Sequence, residues 1–193
     1  MKERRSVRTM MMVAVLGLAA ASCTTRGEAE GRTNAERVER GKYLVTIGGC
    51  NDCHTPFKLG PNGPEPDMTR MLSGHPQNLP MPEVKVAGPW GWAGAVTNTA
   101  FSGPWGVSYA FNLTPDEHTG IGIWTEDIFM KTIRTGRHWG VARPILPPMP
   151  WFNYRQMSDE DLRSVYAYLR TIPAVSNKVP DAIIAEPPAI TTD

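Results

Sequence analysis

Cys50-Asn51-Asp52-Cys53-His54 is the stretch of this 193-residue sequence from which its fold can be predicted. Two cysteines three positions apart, followed at once by a histidine, form the C-x-x-C-H pattern of c-type haem attachment. On one helical turn both thiols can reach one edge of the porphyrin, and the adjoining imidazole then lies under the iron. The pattern predicts one covalent haem c, attached through Cys50 and Cys53 and ligated by His54.

A C-x-x-C pair also occurs in redox dithiols and in zinc sites. The thioredoxin-like dithiol is typical of a βαβ setting, which the surrounding pattern does not predict. A zinc site needs two further ligands at close spacing, whereas the other histidines are scattered at His75, His118 and His138. Haem attachment is the interpretation that uses both cysteines and the adjacent histidine.

A helix is predicted directly before the motif. Thr33 and Glu36 stand three positions apart, and this spacing is typical of a capping box, in which both side chains satisfy free backbone amides. Apolar residues recur up to Ile47, and Gly48 and Gly49 then end the helix. The helix would therefore deliver the chain straight into the C-x-x-C-H motif.

Two more helices are predicted in the second half of the chain. Thr125 is expected to cap Glu126–Arg134, with Gly136 ending the helix. Ser158 begins the last helix, in which apolar residues recur at steps of three and four until Pro173 ends the pattern.

Residues 55–115 lack a helical period, and Pro, Gly and Trp punctuate them densely. We read them as a long irregular insertion with a short strand pair around Val84–Val86 and Val107–Phe111. The insertion would cover the haem or, because aromatic side chains concentrate at interfaces, form a docking surface. The predicted fold class is all-α, a helical domain around one haem with a long irregular Pro/Gly/Trp-rich insertion.

Methionine is the expected second axial ligand, since an electron-carrying haem usually has six-coordinate iron and sulfur is a common sixth ligand. Met149 is the best candidate, because the prolines at 147, 148 and 150 fix its loop ahead of the last helix. Met81 stands in a similar Pro-Met-Pro setting, and Met130 is assigned to a helix core. The alternative for Met149 is that it only fills a gap in packing.

Residues 1–22 have the layout of a signal peptide, with a basic beginning and an apolar run from Met10 to about Ala21. An uncleaved membrane anchor is the alternative, but the run is shorter than the roughly 20 residues that a membrane span needs. Ala20-Ala21-Ser22-Cys23 resembles a bacterial lipobox, which implies acylation of Cys23. Plain cleavage after an Ala-x-Ala pattern within Ala19–Ala21 is the competing interpretation.

The helices, the C-x-x-C-H motif and the Met loop occur in the order that resembles the class I cytochrome c family, over about residues 34–175. From Gly103 to Val175 the chain is more closely similar to the cytochrome subunits of membrane-bound alcohol and sugar dehydrogenases. Those subunits typically carry three haem motifs, and this chain has one. The stretches that carry this closer resemblance are Asn112-Leu113-Thr114-Pro115-Asp116, Thr119-Gly120-Ile121-Gly122-Ile123-Trp124, Pro148-Met149-Pro150-Trp151, Ser158-Asp159-Glu160-Asp161-Leu162 and Tyr168-Leu169.

The resemblance implies haem on Cys50 and Cys53, and iron ligation by His54 and Met149. It also implies that the first and last helices cross near Gly41 and Tyr166. The expected domains are a signal peptide at 1–22, a polar tether at 23–32, a cytochrome domain at 33–175 and a C-terminal extension at 176–193.

The expected function is single-electron transfer outside the cytoplasm rather than catalysis. The chain would be a mono-haem c-type cytochrome on the periplasmic side, anchored to the membrane by lipid on Cys23 or else soluble. Its partners would be redox proteins such as a dehydrogenase, an oxidase or another cytochrome. Alternatives are a subunit of a dehydrogenase complex, or a haem peroxidase or gas sensor with an open iron face. The net charge of +1 without a clustered basic stretch argues against nucleic acid.

Overall fold

A computed structural model of the chain describes residues 32–185, and the predictions for the signal peptide, for Cys23 and for the end of the C-terminal extension lie outside this range. Within it the helical elements alternate with short antiparallel strands. The α-helices are α1 (Asn34–Ile47), α2 (Cys50–His54), α3 (Glu126–Thr135), α4 (Trp151–Tyr154) and α5 (Asp159–Leu169), and 3-10 turns lie at Met68–Arg70 and His138–Gly140.

The predicted helix ends are confirmed, with one shift. Thr33 caps α1 in a complete capping box, because its hydroxyl accepts from the Glu36 amide while the Glu36 carboxylate accepts from the Thr33 amide. Thr125 caps α3, and Gly136 ends it in the left-handed conformation. Ser158 caps α5, but this helix ends at Leu169, three residues before the end of the apolar pattern.

The prediction of an all-α fold is wrong, because six strands within residues 32–185 form two antiparallel sheets, mostly in the segment expected to be irregular. The first sheet is a hairpin, and the second has the order β3-β4-β5-β6. The strands are β1 (Phe57–Gly60), β2 (Gly63–Pro66), β3 (Ala93–Gly94), β4 (Ala100–Gly103), β5 (Gly106–Tyr109) and β6 (Ile183–Ile184).

Two tight turns that share a Gly-Pro-x-Gly pattern join the strands of two hairpins. Gly60-Pro61-Asn62-Gly63 joins β1 to β2, and Gly103-Pro104-Trp105-Gly106 joins β4 to β5, with the two glycines of each turn paired across the hairpin. Gly63 and Gly106 have φ of 116° and 99°, values that residues with a Cβ rarely adopt. The same pattern at Gly88-Pro89-Trp90-Gly91 joins no pair of strands, so Gly-Pro-x-Gly by itself does not predict a hairpin.

The expected strand pair is half right. Val107 lies in β5, but the strand beside it is β4 rather than Val84–Val86. Val84 instead meets the sheet through one side chain, since its amide donates to Ser102 Oγ at 3.0 Å and its carbonyl accepts from the same hydroxyl at 2.9 Å. The Ser102 hydroxyl on β4 thus binds the backbone of Val84, which has no strand-to-strand backbone hydrogen bonds there.

The core forms where α1 crosses α5. At the crossing Gly41 is buried, and a Cβ placed on it would lie 1.9 Å from the Ser164 carbonyl oxygen and 2.8 Å from Tyr168 Cβ. The crossing at Gly41 follows the resemblance, while the opposing residues are Ser164 and Tyr168 rather than Tyr166. The buried apolar cluster of the core comprises Val45, Leu72, Ile121, Trp124, Phe129, Leu162, Leu169 and Ile172.

After α5 the chain returns across the molecule and is held by the buried side chain of Asn177. Its Nδ2 donates to the carbonyls of Ser73 at 2.7 Å and His75 at 2.8 Å, and its Oδ1 accepts from the Gln77 amide at 2.9 Å. Because unpaired buried polar groups are costly, this network fixes the segment 73–77 firmly against the returning chain. That segment also touches α2, where the Gly74 amide donates to the His54 carbonyl at 2.8 Å.

Candidate haem site

The short helix α2 carries the three residues of the C-x-x-C-H motif. Gly49 precedes it in the left-handed conformation, with φ of 65°, so the chain can leave α1 and start a new helical turn in another direction. Cys50 and Cys53 are unbridged and half-buried, and His54 is buried. The structure therefore holds the three predicted haem-binding residues on one turn.

The imidazole of His54 is held in one tautomer. Its Nδ1 lies 2.7 Å from the carbonyl oxygen of Phe111, and a carbonyl can only accept, so Nδ1 carries the hydrogen. Burial lowers the pKa of His54, which favours the neutral ring. Nε2 is consequently a lone-pair donor, and a histidine oriented by a second hydrogen bond is the usual arrangement for a metal ligand.

The surroundings of Cys50 and Cys53 make both thiols less acidic than the cysteines of a redox dithiol. Burial raises the pKa of Cys50 to about 11, with a smaller contribution from Asp52, and burial also raises the pKa of Cys53. Reactive redox cysteines have a depressed pKa, because the thiolate is the nucleophile. These surroundings do not support the redox-dithiol interpretation of the motif.

The other histidines do not join α2 in a metal site. His75 uses both ring nitrogens within the protein, with Nδ1 2.8 Å from Thr99 Oγ1 and Nε2 2.6 Å from the Leu79 carbonyl. His118 is exposed. Among residues 32–185 there is no group of three or more His, Cys, Asp or Glu side chains arranged to hold a metal ion.

Met149 lies half-buried in the loop between the 3-10 turn His138–Gly140 and α4. The loop is fastened to the sheet by Ser108 Oγ, which donates to the Pro147 carbonyl at 2.5 Å. Met149 is separate from the methionines that pack against the core, namely Met71, Met130 and Met157. The assignment of Met130 to the core is confirmed.

Met81, the competing ligand, is fastened to the same strand through the next residue. The Tyr109 hydroxyl donates to the Met81 carbonyl at 3.1 Å and accepts from its amide at 3.3 Å. Successive side chains of a strand point to opposite faces, so Ser108 and Tyr109 hold the two methionine loops on opposite faces of β5. The two candidates therefore occupy distinct places in the fold.

An aromatic cluster surrounds the carbonyl that binds His54. The ring of Phe111 stacks on Trp124 with centroids 5.7 Å apart, and His138 meets Phe111 edge-on at 4.9 Å. Phe111 is not identifiable as a site residue from the sequence, because its contact with His54 comes from the backbone oxygen, which no side-chain pattern reveals. The only sequence feature that points to this region is the Asn112-Leu113-Thr114 stretch directly after Phe111, which is part of the resemblance to dehydrogenase cytochrome subunits.

No protein-family model matches the chain. Curated relatives are nevertheless found. The gluconate 2-dehydrogenase cytochrome c subunit of Pantoea cypripedii is 30% identical over 161 residues, which are 82% of this chain and 28% of the relative. The chain is a homologue of dehydrogenase cytochrome c subunits. The fructose dehydrogenase cytochrome subunit of Gluconobacter japonicus is 29% identical, over 89% of this chain and 29% of the relative.

The cytochrome c subunit of a quinone-dependent alcohol dehydrogenase from Gluconobacter oxydans is also 29% identical, over 75% of this chain and 24% of the relative. The chain thus spans between 24% and 29% of the length of these homologues. The expected resemblance to dehydrogenase cytochrome subunits is confirmed. These homologues are cytochrome subunits and not the catalytic subunits of their complexes, as was expected of this chain.

The residues on α2 fit a haem of the c type. They offer two thiols that can form thioether bonds to the porphyrin and an imidazole whose Nε2 has a lone pair for the iron, which are the groups that this cofactor needs. None of the helices within residues 32–185 is long and apolar enough to cross a membrane.

Proposed function

We propose that this chain is a mono-haem c-type cytochrome that carries single electrons outside the cytoplasmic membrane. The observation that carries the proposal is the His54 imidazole, neutral by burial and oriented by the Phe111 carbonyl, on the same helical turn as two thiols of raised pKa. Cys50 and Cys53 would hold haem c through thioether bonds. His54 Nε2 and the Met149 thioether would be the axial ligands.

The bound haem supplies a one-electron redox couple, and the protein sets its potential and access. A thioether favours the reduced iron and raises the potential. His54 and Met149 would both hold the iron in either redox state, so electron transfer would require little rearrangement. The Phe111 carbonyl keeps the His54 ring from rotating, which preserves that geometry.

A second function within the same class is favoured by the homologues. Since the named relatives are cytochrome subunits of gluconate, fructose and alcohol dehydrogenases, this chain would accept electrons from such a dehydrogenase. The exposed tryptophans of the insertion, Trp90 and Trp92, are available for contact with a partner. Both functions require the same haem site.

Covalent attachment predicts that the haem survives denaturation. On a denaturing gel the full chain should keep its peroxidase-type haem stain, because thioether bonds do not dissociate with unfolding. A Cys50→Ala/Cys53→Ala double variant should lose the stain, and a Met149→Ala variant should keep it. If the wild-type haem is extracted by acidified acetone, the chain is not a c-type cytochrome.

The third cysteine predicts a membrane anchor. We propose that Cys23, which directly follows the apolar run and Ser22, becomes the first mature residue and is acylated. Stable anchoring would need more than one acyl chain on that residue. Wild-type protein should sediment with membranes, and a Cys23→Ser variant should appear in the soluble extracytoplasmic fraction. Plain signal-peptide cleavage is correct instead if the wild type is released by gentle lysis.

A further inference from the structure

The stretch from residue 128 to 158 is rich in basic residues. It contains five basic residues, Lys131, Arg134, Arg137, Arg143 and Arg155, and neither Asp nor Glu. The overall net charge of only +1 hides this segregation. Because the stretch includes the Met149 loop, its placement on the surface bears on how electrons enter and leave.

The fold gathers these residues on one surface. The Ile145 amide donates to the Gly136 carbonyl at 2.8 Å, and the His138 amide donates to the Arg143 carbonyl at 3.0 Å, so the loop folds back on the end of α3. Gly136 lies directly against the ring of Trp151, which joins α4 to the same surface. We call the surface formed by α3 from Lys131 onward, the loop 136–150 and α4 the basic face.

Most charges of the basic face are not neutralised. Arg134 pairs with Asp159 at 2.6 Å, and Asp127 lies one helical turn before Lys131. The four basic side chains other than Arg134 form no salt bridge within residues 32–185, and each is exposed. They are Lys131, Arg137, Arg143 and Arg155.

Exposed apolar side chains stand among these charges. Val141 is 79% exposed, Phe152 57% and Trp139 37%. Tryptophan and arginine are the residues that most often dominate binding at protein interfaces, where an apolar centre is surrounded by a polar rim. A surface of this composition fits a protein partner with a carboxylate-rich rim.

The basic face is also in contact with the iron-ligating side of the site. The ring of Trp139 lies 5.3 Å from Trp124, which stacks on Phe111 at 5.7 Å, and the carbonyl of Phe111 binds His54. An exposed aromatic ring is thus three contacts from the proposed ligand. A partner seated on Trp139 would have a short, packed path for electron tunnelling.

We infer that the basic face is the docking surface for an acidic redox partner protein, with Trp139 as its apolar anchor. The inference rests on the proposed electron-transfer function and names the surface and partner chemistry for it. Charge complementarity steers association and raises its rate by about 10- to 1,000-fold at low salt. The alternative occupant, an anionic membrane surface, is distinguished by the experiment below.

The test uses the purified full-chain holoprotein and a gold electrode coated with a carboxylate-terminated monolayer, which imitates an acidic protein surface. The interfacial electron-transfer rate constant is measured by cyclic voltammetry. At low ionic strength Lys131→Glu/Arg143→Glu should lower it by about tenfold or more, and the difference should vanish near 1 M salt, where the Debye length is about 3 Å. Lys85→Glu/Lys178→Glu, with the same charge change at exposed residues elsewhere, should change it less than about twofold.

The apolar anchor is tested in the same way. Trp139→Ala should slow transfer on a mixed carboxylate and methyl monolayer, while Trp90→Ala, which removes a 76% exposed tryptophan of the insertion, should not. An unchanged reduction potential in each variant shows that the haem surroundings are intact.

The inference is overturned if both charge-reversal pairs slow transfer equally, or if neither does. It is also overturned if Lys131→Glu/Arg143→Glu keeps its electron-transfer rate at the electrode but binds anionic lipid vesicles less tightly than the wild type does, with neutral phosphatidylcholine vesicles as the reference. The basic face would then bind a membrane surface. Failure of the proposed function looks different, because a wild-type protein without haem or without a reversible wave fails before any variant is compared.

Discussion

Replacing Met149 with alanine should remove the weak far-red charge-transfer band that a thioether gives to ferric haem and lower the reduction potential. The band requires sulfur on the iron, and the soft neutral thioether stabilises the ferrous form. Axial ligation spans about 0.8 V among haem proteins, so loss of sulfur should lower the potential by on the order of 0.1 V or more. Absorption spectroscopy of the oxidised protein and a spectroelectrochemical titration measure the two effects.

Met81→Ala is the matched control, because Met81 also stands between prolines and is half-buried on the opposite face of β5. This variant should keep the band and the wild-type potential. If the band is lost in Met81→Ala and kept in Met149→Ala, the insertion supplies the ligand. If neither change matters and the oxidised wild type binds cyanide readily, one iron face is open and the chain is a peroxidase or sensor rather than a carrier.

Gly41→Ala should be the most damaging single-methyl change in the helical core. On helix propensity alone, alanine would stabilise α1 by about 1 kcal/mol relative to glycine. Its Cβ would, however, lie 1.9 Å from the Ser164 carbonyl oxygen, so α1 and α5 would have to separate. Overpacking of this kind costs up to about 3 kcal/mol and occasionally more, and a clash with backbone belongs at the upper end. Urea denaturation followed by far-UV circular dichroism gives the change in the free energy of unfolding.

Gly91→Ala serves as the comparison, since no atom lies within 4 Å of a Cβ at Gly91 and its φ is negative or extended. That variant should unfold at the wild-type urea concentration. Equal stability of Gly41→Ala and Gly91→Ala would mean that the two helices do not pack as closely as described.

The helices and the C-x-x-C-H turn could be predicted because their causes are local. A capping box at Thr33 involves residues three positions apart, and the left-handed glycine at Gly136 ends α3 without help from distant chain. The motif on α2 likewise needs one helical turn. For these elements, sequence neighbours are also the physical partners.

The sheets and the orientation of His54 depend on partners far along the chain, and local patterns do not reveal them. The strand β4 pairs with β5 across a Gly-Pro-x-Gly turn, but the same four-residue pattern at residues 88–91 joins no strands, so the turn is not readable from its sequence alone. The last strand, β6, joins β5 from some 75 residues later in the sequence. The Phe111 carbonyl that orients His54 is 57 residues away from it and carries no side-chain signature.

The buried Asn177 side chain has a consequence for the order in which the chain is made and closed. It binds the carbonyls of Ser73 and His75, more than 100 residues earlier, on either side of the glycine whose amide meets His54. A chain emerging from its N-terminus therefore exposes Cys50 and Cys53 long before residue 177 exists to pin the segment beside them. The segment 73–77 can therefore be pinned beside the attachment turn only after more than 100 further residues have followed Cys53.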